Sequence, residues 1–210
     1  DGRGRWWYAS RSGPLTILHL NADQSLAAGS AQAAWLAAAV AGVDRALTPW
    51  LAVALHRPLY SDNPMKEEAR ITGEIREGIE RILVAGSVDV VFSGHLHAYQ
   101  RTCAAAKGAC FGGGGAARSP SLPSPPPGVT PPVHILAGGG GFRSALTAWA
   151  DAPPWVAAEA RAYGVGDLSV TRTRLELSVV SPVTGEVLDG LVLTKEEGWG
   201  APDPAVAGAW

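Results

Sequence analysis

The order of apolar and polar positions divides the chain into short buried runs and two helical stretches. Residues 6–22 read as a hairpin turning at residues 10–14. Over residues 30–43, Trp35, Leu36, Ala39, Val40 and Val43 recur on one helical face, and Ser30 stands where an N-cap would accept the first free amides. Pro49 precedes an apolar run at 50–55 that reads as a strand buried on both sides. The clearest amphipathic pattern covers 64–85, with Ile71, Ile75, Ile79, Ile82 and Leu83 inward and glutamates and arginines outward. Gly86 is expected to end that helix as the residue after its cap. A strand follows at 88–93. Strand, helix and strand in this order predict a parallel pair with a right-handed connection, so whatever follows the two strands arrives at the same edge.

Farther on, the pattern predicts a strand at 133–137, an irregular Trp-bearing stretch to about residue 161, and strands at 165–172, 174–181 and 186–194. Gly185 marks the last hairpin turn. Residues 112–132 hold seven prolines and almost no packing residue, which reads as a disordered insertion, and 196–210 reads as a flexible tail. Composition changes this picture little. Hydrophobic residues at 47% suffice for a real core, and a net charge of −2 leaves no basic footprint for nucleic acid or an anionic membrane. No run of 18 apolar residues suggests a membrane span. Asp1 stands in what reads as the lead-in to a strand, so a segment of a longer protein is expected.

The candidate chemistry sits at the two strand ends. His56 follows the first buried strand, and Gly94-His95-Leu96-His97 follows the second. Ligand chemistry in open α/β sheets collects beyond the carboxyl ends of strands, and neutral imidazole is the commonest metal-binding side chain. Three imidazoles could hold one zinc ion with an open position. No acidic residue ends a comparable strand: Asp89 lies six residues before His95, roughly 20 Å along the strand, and Asp62 in the loop after His56 is the possible neighbour. His19 and His134 fall inside predicted strands and read as structural. The run from Gly138 to Gly141 lacks the spacing of a phosphate-binding loop and reads as a close backbone approach near the same edge.

Longer stretches carry a resemblance. Residues 32–50 (QAAWLAAAVAGVDRALTPW), His56-Arg57-Pro58-Leu59-Tyr60-Ser61, residues 88–101 (VDVVFSGHLHAYQR) and residues 132–141 (PVHILAGGGG) follow one another collinearly. So do the closing strands at 163–192. Together they resemble the C-terminal half of the purple acid phosphatases, in the calcineurin-like metallophosphoesterase superfamily. The resemblance implies an α/β (α+β-like) fold, part of a four-layer αββα sandwich of mixed β-sheets flanked by helices. Residues 1–111 would form the C-terminal half of the metallophosphoesterase domain and 133–195 its closing strands, separated by the 112–132 insertion.

The resemblance also implies a dinuclear metal centre, iron with zinc, manganese or a second iron, hydrolysing phosphate monoesters. His56 and His95 resemble ligands of the divalent metal and His97 a ligand of the ferric ion. The family's G-D-x-G, G-D-x-x-Y and G-N-H-D/E blocks, which supply the other ligands, do not occur in these residues. At most one weakly bound metal, and no turnover by this chain alone, are therefore expected. Lys66 could attract phosphate, and Tyr99 and Arg101 could line or brace the substrate pocket. The family often has a cysteine pair after the same Y-E-R stretch, which favours a Cys103–Cys110 disulfide over two reduced thiols and, with it, a secreted or vacuolar parent. The alternatives are a related phosphodiesterase and a non-catalytic phosphate-binding or interaction module.

Overall fold

The computed structural model describes residues 6–63, 65–112, 130–140 and 152–197. Most of the expected 112–132 insertion, residues 141–151 and nearly all of the expected tail lie outside the described residues.

Strands β1 (Tyr8–Ser12) and β2 (Leu15–His19) form the first hairpin. Its turn is confined to Gly13 and Pro14, with Gly13 at φ +53°, so β1 runs farther than the pattern suggested. Helix α1 (Ala31–Ala41) starts at Ser30, whose hydroxyl accepts the Ala33 amide at 3.2 Å, as an N-cap should. Strand β3 (Trp50–Ala54), helix α2 (Lys66–Ala85) and strand β4 (Val90–Ser93) follow. The parallel β3–β4 pairing joins Ala52 to Val90 and Ala54 to Phe92. Each helix links neighbouring parallel strands, α1 between β2 and β3 and α2 between β3 and β4, and both pack on one face of the sheet.

Strand β5 (Tyr99–Ala106) turns through Lys107 and Gly108 into β6 (Ala109–Phe111), and β7 (Val133–Ala137) inserts between β4 and β5. Strand β8 (Val156–Ala160) pairs with the first half of β5. These eight strands make one mixed sheet; β9 (Val165–Val170), β10 (Arg174–Val180) and β11 (Val187–Thr194) make a second, antiparallel one. Period-two alternation builds two cores. Leu51 and Val53 of β3 face α1 and α2, while Trp50 and Ala52 face Leu175, Leu177 and Leu191 of the second sheet. Helices, large sheet and small sheet are three layers of the expected sandwich.

Three local expectations needed correction. Residues 99–111, where the pattern predicted no element, form a hairpin, because Lys107 and Gly108 both take left-handed conformations (φ +52° and +73°) that a two-residue hairpin turn requires. The stretch before residue 161 contains β8, whose edge pairing gives little sequence contrast. Gly86 keeps φ −86°, and Ser87 takes the left-handed position at φ +46°. The glycine at 86 answers a packing demand: a Cβ there would stand 1.8 Å from Val40 Cγ1 of α1.

The same logic applies inside α2. A Cβ on Gly78 would lie 2.0 Å from the Leu26 carbonyl oxygen, so the loop before α1 rests directly on the helix backbone. Gly78→Ala should therefore destabilise the fold by about 1–3 kcal/mol even though alanine is the better helix former. A lower urea midpoint with unchanged slope is the expected readout; equal or greater stability would mean the loop does not need this approach.

Candidate metal centre

The carboxyl ends of β3 and β4 lie side by side, which brings His56 and His95 together across 39 residues of sequence. Their rings meet edge to face, centroids 5.1 Å apart, with His56 Nε2 and His95 Nδ1 separated by 3.3 Å. Two imidazole nitrogens on one tetrahedral zinc, each about 2.0–2.1 Å from it, stand about 3.3–3.4 Å apart. The observed spacing fits one edge of such a site. His56 is held below its ordinary pKa, by partial desolvation first and then by the positive potential of His95, Arg57 and His97, with Asp23 opposing. It therefore presents the neutral form that binds metal.

His95 is fixed by groups the sequence reading passed over. Its Nε2 lies 3.0 Å from Glu68 Oε2 and 3.1 Å from Arg57, which bonds the same carboxylate oxygen at 3.2 Å. A carboxylate only accepts, so Glu68 favours a proton on Nε2 with the Nδ1 lone pair toward His56, while Arg57, which only donates, stands against the same nitrogen and competes with that arrangement. Carboxylate support of a histidine in this way is the usual outer support of a metal ligand. Glu68 was missed because acids were sought at strand ends, whereas it rises from the first turn of α2, twelve residues after His56. His95 also sits at φ +70°, a conformation uncommon outside glycine that turns the chain sharply after β4.

The close approach expected around Gly138 is present beside this turn. A Cβ on Gly138 would stand 1.8 Å from the carbonyl oxygen of Leu96, the residue between the two motif histidines. Next to Arg57, a cavity of about 730 Å³ opens between α2 and residues 22–28, lined by Asp23, Leu26, Ile71, Ile75 and Glu74.

The remaining expected residues distribute as follows. His97 contributes to the potential at His56, but no group of three or more His, Cys, Asp or Glu donors gathers among the described residues. Lys66 is exposed at the first position of α2, two residues before Glu68. Tyr99 and Arg101 are both buried and both bond Asp189 of β11, at 2.6 Å from the phenol and 2.6 and 3.1 Å from the guanidinium. They brace the two sheets. Cys103 and Cys110 form the disulfide across the β5–β6 hairpin, with Cα atoms 5.7 Å apart. Asp89 serves the opposite end of the sheet, bonded to the Leu51 amide, Arg45 and Lys195. Asp62 lies buried against Gln100, at 2.8 Å. His19 bonds Ser10 and stacks on Tyr8.

Comparison with known proteins places the chain by family and fold. Residues 131–190 match the family model "Iron/zinc purple acid phosphatase-like protein C". Purple acid phosphatase 22 of Arabidopsis thaliana is 39% identical over 144 residues, 67% of this chain and 29% of its own length. A phosphoenolpyruvate phosphatase of Allium cepa is 38% identical over 97 residues, covering 46% of this chain and 20% of its own length. The chain thus spans less than a third of the length of these relatives. Among solved structures, a purple acid phosphatase from yellow lupin (Lupinus luteus) seeds superposes with TM-score 0.77 at 22% identity, over 94% of this chain and 34% of its own. GAP50, the anchor in the inner membrane complex of Plasmodium, superposes with TM-score 0.61 at 12% identity, over 97% of this chain and 59% of its own.

Proposed function

Because the chain belongs to the purple acid phosphatase family, matched through that family's C-terminal part, we propose that it supplies one wall of a metal centre for phosphate-monoester hydrolysis. The observation that carries this reading is the 3.3 Å pairing of His56 Nε2 with His95 Nδ1 at neighbouring strand ends. His56 and His95 would hold a divalent metal, with His97 as the further donor the family pattern implies. A metal bound there supplies Lewis-acid polarisation of a phosphoryl oxygen. Glu68 and Arg57 hold the His95 ring at its Nε2 edge, Arg57 neutralises Glu68, and Lys66 at the start of α2 adds a positive charge for an incoming phosphate. The Cys103–Cys110 disulfide supports a secreted or vacuolar location.

With the other ligand blocks lacking counterparts in these 210 residues, the chain by itself should bind at most one metal and turn over no substrate. Zinc titration calorimetry, elemental analysis and a phosphate-monoester assay test this together. Binding should vanish in His95→Ala and weaken about 10–100-fold in Glu68→Gln. Two metals per chain with turnover would mean that unrecognised ligands complete the centre. A non-catalytic binding module is the second reading, supported by the gathering of only two donors among the described residues. One relative is described as a probable inactive purple acid phosphatase. No zinc binding in the wild-type chain would favour that second reading.

A further inference from the structure

We propose that Asp62 is held as the neutral acid and pairs through both its oxygens with the Gln100 carboxamide, closing a carboxylic acid–carboxamide ring that ties the His56 turn to the His97 turn. The inference concerns a positioning residue and stands whether or not the histidine pair holds metal.

Asp62 and Gln100 are 7% and 1% exposed, and Gln100 Nε2 donates to Asp62 Oδ1 at 2.8 Å. Their two remaining atoms, Asp62 Oδ2 and Gln100 Oε1, are both buried without a hydrogen-bond partner. An ionised carboxylate and an amide oxygen are both acceptors, so the deprotonated pair leaves two buried acceptors unsatisfied, which is costly. One proton on Oδ2 converts that atom into a donor for Oε1 and satisfies both.

The surroundings favour the neutral acid. Burial raises the Asp62 pKa and Glu159 raises it further, against the opposing bonds from Gln100 and from its own backbone amide, and the net direction is upward. Glu159 lies on β8, in register with Gln100 of β5. From β7, the residue in register with Gln100 is the neutral Leu136. Its flanking residues Ser61 and Asn63 carry no charge. Arg101, next along β5, points to the opposite face and is engaged by Asp189. No cation among these offsets a second buried negative charge.

Position gives the pair its consequence. Asp62 follows His56 by six residues and precedes Glu68 by six, and Gln100 follows His97 by three. The ring therefore anchors the loop that carries His56 at one end and the His95-supporting Glu68 at the other.

The test is a carboxyl 13C NMR titration of the whole chain, with the Asp62 resonance assigned through its own side-chain protons. Asp62 should remain protonated through the ordinary carboxylate range. Asp62→Asn, which can close an amide–amide ring, should keep the wild-type stability at acid pH, and Asp62→Leu should lose it. A carboxyl with a raised folded pKa contributes stability below its unfolded pKa that fades as pH rises through the folded value. Asp62→Asn should therefore gain on the wild type as pH rises. Ionisation of Asp62 together with the exposed carboxylates would overturn the proposal, and that measurement needs no variant. So would equal losses in the asparagine and leucine variants at every pH.

Discussion

Asp189→Ala is expected to destabilise the protein by about 3–5 kcal/mol, the range for removing one partner of a buried ion pair. Asp189 on β11 accepts from Tyr99 and Arg101 on β5, so one carboxylate joins the large sheet to the small one. The guanidinium is only 5% exposed and Asp189 only 11%, so water cannot replace the lost partner. Burial raises the Asp189 pKa, but the bonds from Arg101 and Tyr99 outweigh it and hold the carboxyl below its ordinary value. Alanine would leave a buried cation and a buried phenol unpaired. The companion variant Asp189→Leu with Arg101→Met should recover much of the loss, since apolar residues of similar volume replace buried pairs well. Urea unfolding of the single and double variants measures this; a loss below 1 kcal/mol for Asp189→Ala would mean that the pair is effectively solvated.

The second large effect is acid sensitivity at His134. This imidazole is 4% exposed, packs at 4.5 Å against Tyr60, and meets nothing stronger than a weak approach to the Ala105 backbone. Its pKa falls from 6.5 to about 3, chiefly through burial, with Arg76 adding repulsion and the Ala105 backbone opposing. The unfolded chain therefore takes up a proton that the folded one refuses. Stability is whole above pH 6.5 and falls as pH drops toward 3, by about 4–5 kcal/mol at the bottom of that window. His134→Phe removes the titration. Its stability relative to the wild type should rise steadily between pH 6.5 and 4, whatever offset the larger ring introduces at pH 8. Parallel pH–stability curves for the two proteins would show that His134 accepts its proton without unfolding.

Periodicity alone located α1, α2, β3, β4, β7 and the three closing strands, because each buries one stripe or one alternating face and writes it in the sequence. It passed over β5, β6 and β8, since Cys103 to Ala106 are buried small residues with no contrast between faces. The motif histidines were legible because they stand just past apolar strands. Their partners were not. Glu68 reaches His95 from a helix start, and Asp189 reaches Arg101 across 88 residues. Asp62 turned from a possible metal neighbour into the partner of Gln100 because its loop folds back over β5.

The sequence by itself determined both helices and most of the strands, the parallel β3–β4 pair, the strand-end placement of His56 and His95, and the family. Only the tertiary structure decided which nitrogen of His95 faces His56, which carboxylates serve the site and which serve the fold. Local pattern depends on residues a turn or a strand step apart. Hydrogen-bonded partners instead depend on how layers stack, and stacking joins positions that no sequence spacing connects.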